Sequence, residues 1–264
     1  MKILAVCLII SFLALSCATK QVEETAKPTN QAGIQNVSDK KALAIAAFYR
    51  GNHKQAIDEI EEAKKINKND PEIYDIEGSI YLSLKQYDQA ESSYKKAIEL
   101  NSNFSRARHN LCGLYLMFGK WDAAIEQCSK AASDIFSEFR ENDLTSLGVA
   151  YFKKGDIDKA KEYYLKALEI KPAFPYTHNE LGKLYMSIGK DLEAIEEFRK
   201  AINGFDRYDE AHYNLALAYL RTGKREAACE SFKKVVEISP ESALGVDAKG
   251  YLSSLCVNNF SGGE

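Results

Sequence analysis

Apolar and small residues recur along the chain with a period close to 34 residues, beginning near residue 37. Each period contains an alanine that is followed seven positions later by Ala or Val and preceded nine positions earlier by Tyr or Ala. These alanines are Ala56, Ala90, Ala124, Ala160, Ala194 and Ala228. A period of this length is typical of repeat proteins, in which each unit buries its apolar face against the next unit.

Each unit has the pattern of two amphipathic helices folded against each other. Apolar positions three and four apart predict the helices, and small residues at facing positions allow their backbones to approach closely. Five of the six units have a glycine five positions before the alanine, where the first helix must end, because glycine adopts a left-handed conformation without steric cost. Lys85 occupies this position in the second unit.

These small residues, tyrosines and turn glycines, with Pro172 and Pro240 near the ends of two units, resemble the tetratricopeptide repeat. The resemblance implies an all-α fold, a right-handed superhelical solenoid of six helix hairpins whose first helices line an inner face. The predicted units are residues 37–70, 71–104, 105–138, 141–174, 175–208 and 209–242. Residues 243–258 are predicted to form a capping helix, and residues 259–264 a disordered tail.

Two departures from the repeat stand out. The spacing lengthens to 36 residues between the third and fourth units, at ASDIFSEFREND, which predicts an irregular junction. Glu77 occupies a position that is Leu in the other five units, and it indicates either a locally exposed helix or a polar contact.

The amino terminus has the pattern of a cleaved leader. Residues 3–15 are almost continuously apolar, follow the single cation Lys2, and are too short for a spanning helix of roughly 20 residues. Cys17 directly follows Ser16, as in the lipobox of bacterial lipoproteins, which implies a signal peptide at 1–16 and lipidation of Cys17. Ordinary cleavage without lipidation is the alternative. Ala18 in place of Asp implies an outer-membrane location, facing the periplasm of a Gram-negative cell.

Residues 17–36 contain few large apolar side chains and are predicted to be a flexible tether. The net charge of −3, with lysines alternating with glutamates along helix faces, argues against nucleic-acid binding. No nucleophile motif, phosphate-binding loop or zinc spacing occurs, so we expect no enzyme, cofactor, metal or small-molecule substrate. The four histidines are scattered, and His178 and His212 share one repeat position where a ring commonly packs against the preceding unit.

The first helices supply the candidate partner-binding groove. In this family, positions 2, 5, 9, 12 and 13 of each unit point inward. The candidate residues are Phe48, Leu82, Leu116, Met117, Thr145, Phe152, Asn179, Met186, Tyr213 and Leu220. An apolar stripe flanked by polar groups suits an extended or helical peptide. The alternative is that neighbouring first helices half-bury these side chains and that they bind nothing.

Four cysteines remain when Cys7 and Cys17 are set aside, an even number in an oxidising compartment. Cys112 and Cys128 lie at facing positions of the third hairpin, and an antiparallel return of the cap would bring Cys256 near Cys229. Two disulfides are therefore predicted, with buried free thiols as the alternative.

A six-repeat chain with a lipoprotein leader and an irregular junction before LGVAYFKKGDIDKAKEYYLKALEIKPAFP resembles the PilF/PilW-type lipoproteins of type IV pilus biogenesis. This resemblance implies a pilotin, a non-enzymatic scaffold that promotes localisation and assembly of an outer-membrane secretin. Two alternatives stay open: an outer-membrane adaptor that recruits peptidoglycan enzymes or other envelope complexes, and, without lipidation, a soluble periplasmic scaffold.

Overall fold

The structure is a computed structural model that describes residues 31–256, with side chains from residue 36 onward. The described part is entirely helical. Its helices are α1 (Gln31–Tyr49), α2 (His53–Ile66), α3 (Pro71–Ser83), α4 (Tyr87–Leu100), α5 (Ser105–Met117), α6 (Trp121–Ala132), α7 (Arg140–Lys153), α8 (Ile157–Ile170), α9 (Pro175–Ser187), α10 (Asp191–Gly204), α11 (Asp209–Arg221), α12 (Arg225–Ile238) and α13 (Ala243–Leu255).

The helices form six hairpins that stack in chain order, which confirms the predicted fold class. Within each hairpin, three residues join the first helix to the second; four residues join each hairpin to its successor, except at the third junction. Each first helix packs against its own second helix and against the first helix of the next hairpin. Helix α13 packs against α12 and covers the last hairpin, as a capping helix does.

The two helices of a hairpin approach most closely where a small residue faces a large one. A Cβ atom added at Gly148 would lie 2.4 Å from the ring of Tyr164, and one added at Gly182 would lie 2.5 Å from the ring of Phe198. Both rings are completely buried. Helix backbones can approach this closely only where the facing side chain is absent or very small.

The short turn inside each hairpin needs a residue with positive φ. Glycine supplies it in five hairpins, for example Gly155 at +83°, and Lys85 supplies it in the second hairpin at +58°. A side chain in this region costs roughly 1–2 kcal/mol relative to glycine. The sequence placed this turn correctly even where glycine is missing.

The structure differs from the predicted boundaries at the amino-terminal end. Helix α1 begins at Gln31, so residues 31–36, predicted as part of the tether, are helical. Pro28 is the last proline before Pro71, and adding residues to an existing helix is far easier than starting one. Residues 1–30 and 257–264 lie outside the described residues, and with them Cys17, most of the tether and the carboxyl-terminal tail.

The irregular junction lies between α6 and α7, where residues 133–139 form a seven-residue connection. Ile135 and Phe136 at its tip are 64% and 91% exposed. The Arg140 side chain donates a hydrogen bond to the Ala132 carbonyl (3.1 Å), which ties the two ends of the connection together.

Glu77 is only 6% exposed, and it makes polar contacts. Lys64 Nζ lies 2.5 Å from one carboxylate oxygen, and the Ser93 hydroxyl donates to the other at 3.0 Å. Of the two interpretations of this position, the structure supports the polar contact, because a buried carboxylate is tolerated only with partners of this kind.

Candidate functional site

The inner face of the solenoid is the surface formed by the first helices, α1, α3, α5, α7, α9 and α11. One apolar side chain from each of these helices forms a row along it. The row consists of Phe48, Leu82, Leu116, Phe152, Met186 and Leu220. All six are half-buried, and each packs on one side against a buried core cluster. The row therefore belongs partly to the core while leaving apolar surface open along the face.

The amino-terminal half of this face carries the more exposed apolar groups. Tyr49 is 82% exposed, Met117 is 54% exposed and Ile45 is 37% exposed. At the positions equivalent to Tyr49, the last three repeats have Lys153, Ser187 and Arg221, all exposed, and Arg221 is paired with Asp191 at 2.9 Å. This position is thus apolar in the first and third repeats and polar or charged in the last three.

Thr145 and Asn179 lie on the inner face but are completely buried. The Thr145 and Thr177 hydroxyls are 2.6 Å apart, and Asn179 receives a hydrogen bond from Asn214 (3.0 Å) while donating to Tyr208 (3.2 Å). The sequence suggested that Thr145 and Asn179 offer hydrogen bonds to a partner, whereas the structure uses those hydrogen bonds to join neighbouring repeats.

Tyr213, the third polar candidate, is half-buried and packs edge-on against Phe232, with 5.6 Å between ring centroids. The ring centroid of Tyr251, in the capping helix, lies 6.4 Å from that of Tyr213. Tyr213 therefore helps to seat the cap on the sixth hairpin.

An ionic network crosses the inner face of the first three repeats. Lys41 Nζ lies 2.8 Å from Asp70 and 2.5 Å from Glu72, and Arg106 bridges Glu72 (3.1 Å) to Asp75 (2.5 Å). Burial raises the pKa of Asp75, although the Arg106 guanidinium opposes this effect. The network links three successive first helices. Glu72 and Arg106 share repeat position 2, and Lys41 and Asp75 share position 5. Both positions were expected to point inward, but the repeat pattern alone does not pair their charges.

Two further polar contacts join the later repeats. His109 Nδ1 lies 2.6 Å from buried Asp143, and the His109 ring stacks on Phe139 of the irregular junction with centroids 4.6 Å apart. Lys183 bonds Glu180 and Glu210 at 2.5 and 3.0 Å. The inner face is thus crossed by charged contacts that hold the repeats in register.

The two histidines at the shared repeat position, His178 and His212, make hydrogen-bond contacts with backbone carbonyls. The ring nitrogens Nε2 of His178 and His212 each lie 2.9 Å from a backbone carbonyl six residues earlier, at Pro172 and Asp206. Both carbonyls belong to the loop that ends the preceding repeat, which agrees with the expected packing against the preceding unit. Among residues 31–256, no group of three or more His, Cys, Asp or Glu side chains could hold a metal ion.

The structure joins Cys112 to Cys128 and Cys229 to Cys256 as disulfides. The Cα atoms are 5.4 and 5.9 Å apart, within the usual range for a disulfide. The first staples α5 to α6, and the second ties the end of the capping helix to α12.

Nothing in residues 31–256 points to catalysis. The described helices also include none with the length and apolar character needed to cross a bilayer. What the structure does provide is an extended, partly apolar face on a stack of hairpins.

Comparison with known families identifies the repeats. Profiles described as TPR repeat match residues 148–189 and 182–223, and profiles described as tetratricopeptide repeat match residues 77–104 and 209–242. Among curated proteins, BBSome complex member BBS4 of Bos taurus is 33% identical over 149 residues, which is 56% of this chain and 22% of that protein. The chain therefore spans only about a fifth of the length of that relative.

The type IV pilus assembly protein PilF of Pseudomonas aeruginosa is 22% identical over 142 residues, covering 54% of this chain and 56% of that protein. The solved structure of Pseudomonas aeruginosa PilF matches with a TM-score of 0.72 at 17% identity, over 83% of this chain and 99% of that one. PilW, a widely conserved type IV pilus biogenesis factor, matches with a TM-score of 0.73 at 21% identity, over 84% and 100%. Residues 31–256 therefore form a solenoid of tetratricopeptide repeats that is similar in fold to the pilus biogenesis proteins PilF and PilW.

Proposed function

We propose that this chain is a lipid-anchored scaffold at the periplasmic face of the outer membrane, which binds an outer-membrane secretin and promotes its localisation and assembly during type IV pilus biogenesis. The observation that carries the proposal is the inner face itself: a half-buried apolar row with exposed Tyr49 and Met117 beside it. The likeness in fold to PilF and PilW supports the choice of process.

The shape and chemistry of the face favour a peptide segment as the bound part of the partner. A partly open apolar row flanked by polar groups suits an amphipathic helix or an extended strand. Exposed apolar groups in the first three repeats become buried when the partner binds. Each Å² of apolar surface removed from water contributes about 25 cal/mol to the binding free energy. The ionic network across the face keeps neighbouring first helices aligned, so the surface is formed before the partner arrives.

The binding test uses charge substitutions at exposed positions. Tyr49→Glu and Met117→Glu are preferable to changes at Leu116 or Phe152, because the latter two side chains pack against the core. The matched control is Leu192→Glu, at a side chain that is 62% exposed on a second helix, away from the inner face.

In cells, we expect the full chain to co-purify with secretin from detergent-solubilised membranes. Tyr49→Glu and Met117→Glu should together abolish this capture and reduce secretin multimers, while Leu192→Glu leaves both unchanged. Circular dichroism of each variant should show unchanged helicity. Unaltered secretin multimers in a deletion strain would overturn the pilus proposal, and capture of a peptidoglycan enzyme instead would favour the adaptor hypothesis.

The lipid anchor is tested separately. Mass spectrometry of the mature amino terminus should show an acylated Cys17, and Cys17→Ala should release the protein from membranes without detergent. An unmodified amino terminus would leave a soluble periplasmic scaffold in place of an anchored one.

A further inference from the structure

A polar contact between the first and the second helix of the same hairpin recurs in three of the repeats. In these repeats, the side chain at position 4 of the repeat, on the first helix, bonds the side chain nineteen residues later on the second helix. The pairs are Lys40 with Glu59 (2.8 Å), Arg108 with Gln127 (2.7 Å) and His178 with Glu197 (2.6 Å). In each pair an oxygen atom from the second helix meets a nitrogen atom from the first.

The sixth repeat has a short hydroxyl side chain in place of the longer partner. His212 occupies position 4, but Ser231 stands where Glu197 stands in the fifth repeat. The Ser231 hydroxyl is turned to its own helix and donates to the Ala227 carbonyl at 3.0 Å. His212 is 9% exposed and its Nε2 lies 2.9 Å from the Asp206 carbonyl; unlike His178, it makes no hydrogen bond to the second helix of its own repeat.

A cavity of about 520 Å³ opens at this place, between α10 and α12 and across α11. His212 and Ser231 line it, together with an apolar floor that includes Ile202 and Leu215. The shorter serine side chain leaves the space that a glutamate side chain fills in the preceding repeat.

The rim of the cavity carries three cations, Arg199, Lys233 and Lys234, and two carboxylates, Glu230 and Glu237. Lys234 is paired with Glu237 at 2.6 Å. Arg199 donates from Nε (3.0 Å) and Nη2 (2.7 Å) to the Tyr219 hydroxyl and has no carboxylate partner among the described residues. A guanidinium whose only polar partner is a neutral phenol remains available to an incoming anion.

We infer that this cavity binds a carboxylate carried on an apolar stem, with His212 and Arg199 holding the carboxylate and the apolar floor holding the stem. The ligand supplies the oxygen atoms that Glu197 supplies to His178 in the fifth repeat. A peptide provides this chemistry either from its terminal carboxylate or from an acidic side chain. The site lies away from the inner face, so its test is independent of the function proposed above.

The experiment follows the histidine ring signals of the full chain by NMR, with His178 as an internal reference. Three probes separate the two carboxylate sources: acetyl-Gln-Leu has only the terminal carboxylate, acetyl-Glu-Leu-amide has only the side-chain carboxylate, and acetyl-Gln-Leu-amide has neither. We expect at least one carboxylate probe to shift the His212 signals saturably, while the third probe and the His178 signals show no change.

Two variants test the geometry. Ser231→Glu rebuilds the arrangement of the fifth repeat inside the cavity and should abolish probe binding without loss of thermal stability. Arg199→Gln should weaken binding about tenfold, the loss expected for one charge-assisted hydrogen bond. Lys249→Gln, on the exposed side of the capping helix, is the matched control and should bind as the parent does.

Equal shifts with the probe that has no carboxylate would overturn the inference, as would unchanged binding in Ser231→Glu. Should Ser231→Glu fail to fold, Arg199→Gln decides the question, because Arg199 is exposed and its replacement leaves the core intact.

Discussion

Replacing glycine by alanine at two helix-interior positions should change stability in opposite directions. Gly148 lies in α7 beneath the buried ring of Tyr164, and an added Cβ would lie 2.4, 2.5 and 3.0 Å from three ring atoms. Gly113 lies in α5, is exposed, and has no atom within 4 Å of the Cβ it would gain. Both sites gain the same helix propensity on substitution, so the difference between them measures the close approach of the hairpin helices.

The magnitude follows from two opposing terms. Alanine is favoured over glycine in a helix by about 1 kcal/mol, which is the expected gain at Gly113. Overpacking a core costs about 1–3 kcal/mol, and the Tyr164 ring is completely buried, so Gly148→Ala should lose up to about 2 kcal/mol net. Because the propensity gain is common to both sites, the two variants should differ by about 1–3 kcal/mol, or roughly 2–12 °C in melting temperature for a chain of this size.

Chemical denaturation of the full chain, followed by far-UV circular dichroism, measures both variants against the parent. Gly148→Ala should shift the midpoint to lower denaturant and Gly113→Ala to higher denaturant, with similar slopes. Equal shifts in the same direction would refute the close approach of α7 and α8 on which this argument depends.

Three further predictions concern polar contacts and the disulfides. Glu77→Ala should cost about 2 kcal/mol, because it removes the acceptor of Ser93 and half-buried Lys64 and also leaves an unfilled space, whereas Glu77→Leu removes the same acceptor but fills the space and should cost about 1 kcal/mol; equal losses by denaturation would contradict this. Hydrogen bonds from Lys95 and other neighbours, opposed by burial, lower the pKa of Glu91 from 4.5 to about 2. Glu91→Gln should therefore cost about 1 kcal/mol above pH 5, a difference that disappears as the pH falls toward 2; a pH-independent difference between the denaturation curves would refute it. Alkylation followed by mass spectrometry should label the four cysteines of residues 31–256 only after reduction, and labelling without reductant would show free thiols.

Most of the fold could be predicted from the repeat period. Small residues at fixed spacing, such as Gly148 and Gly182, mark the places where two helices cross, because no larger side chain fits there. The turn at Lys85 was placed by the period alone, since the neighbouring repeats require a turn at the same distance. These features are local or repeat from one unit to the next, so periodicity reveals them.

The candidate site depended on tertiary structure. Thr145 and Asn179 look available in the sequence, but the next repeat buries them and uses their hydrogen bonds. The ionic network through Arg106 joins residues more than thirty positions apart, so it appears only when neighbouring repeats are stacked and the charges of one face those of the next.

The sequence by itself determined the all-helical repeat architecture, the hairpin turns and the positions at which helices approach, because these follow from residue size and spacing within a unit. Only the tertiary structure decided whether a polar side chain faces solvent or a neighbouring repeat. It alone shows that Glu77 is buried against Lys64 and that a cavity opens beside His212. The physical reason is that burial and hydrogen-bond partnership depend on what the adjacent unit places opposite each residue.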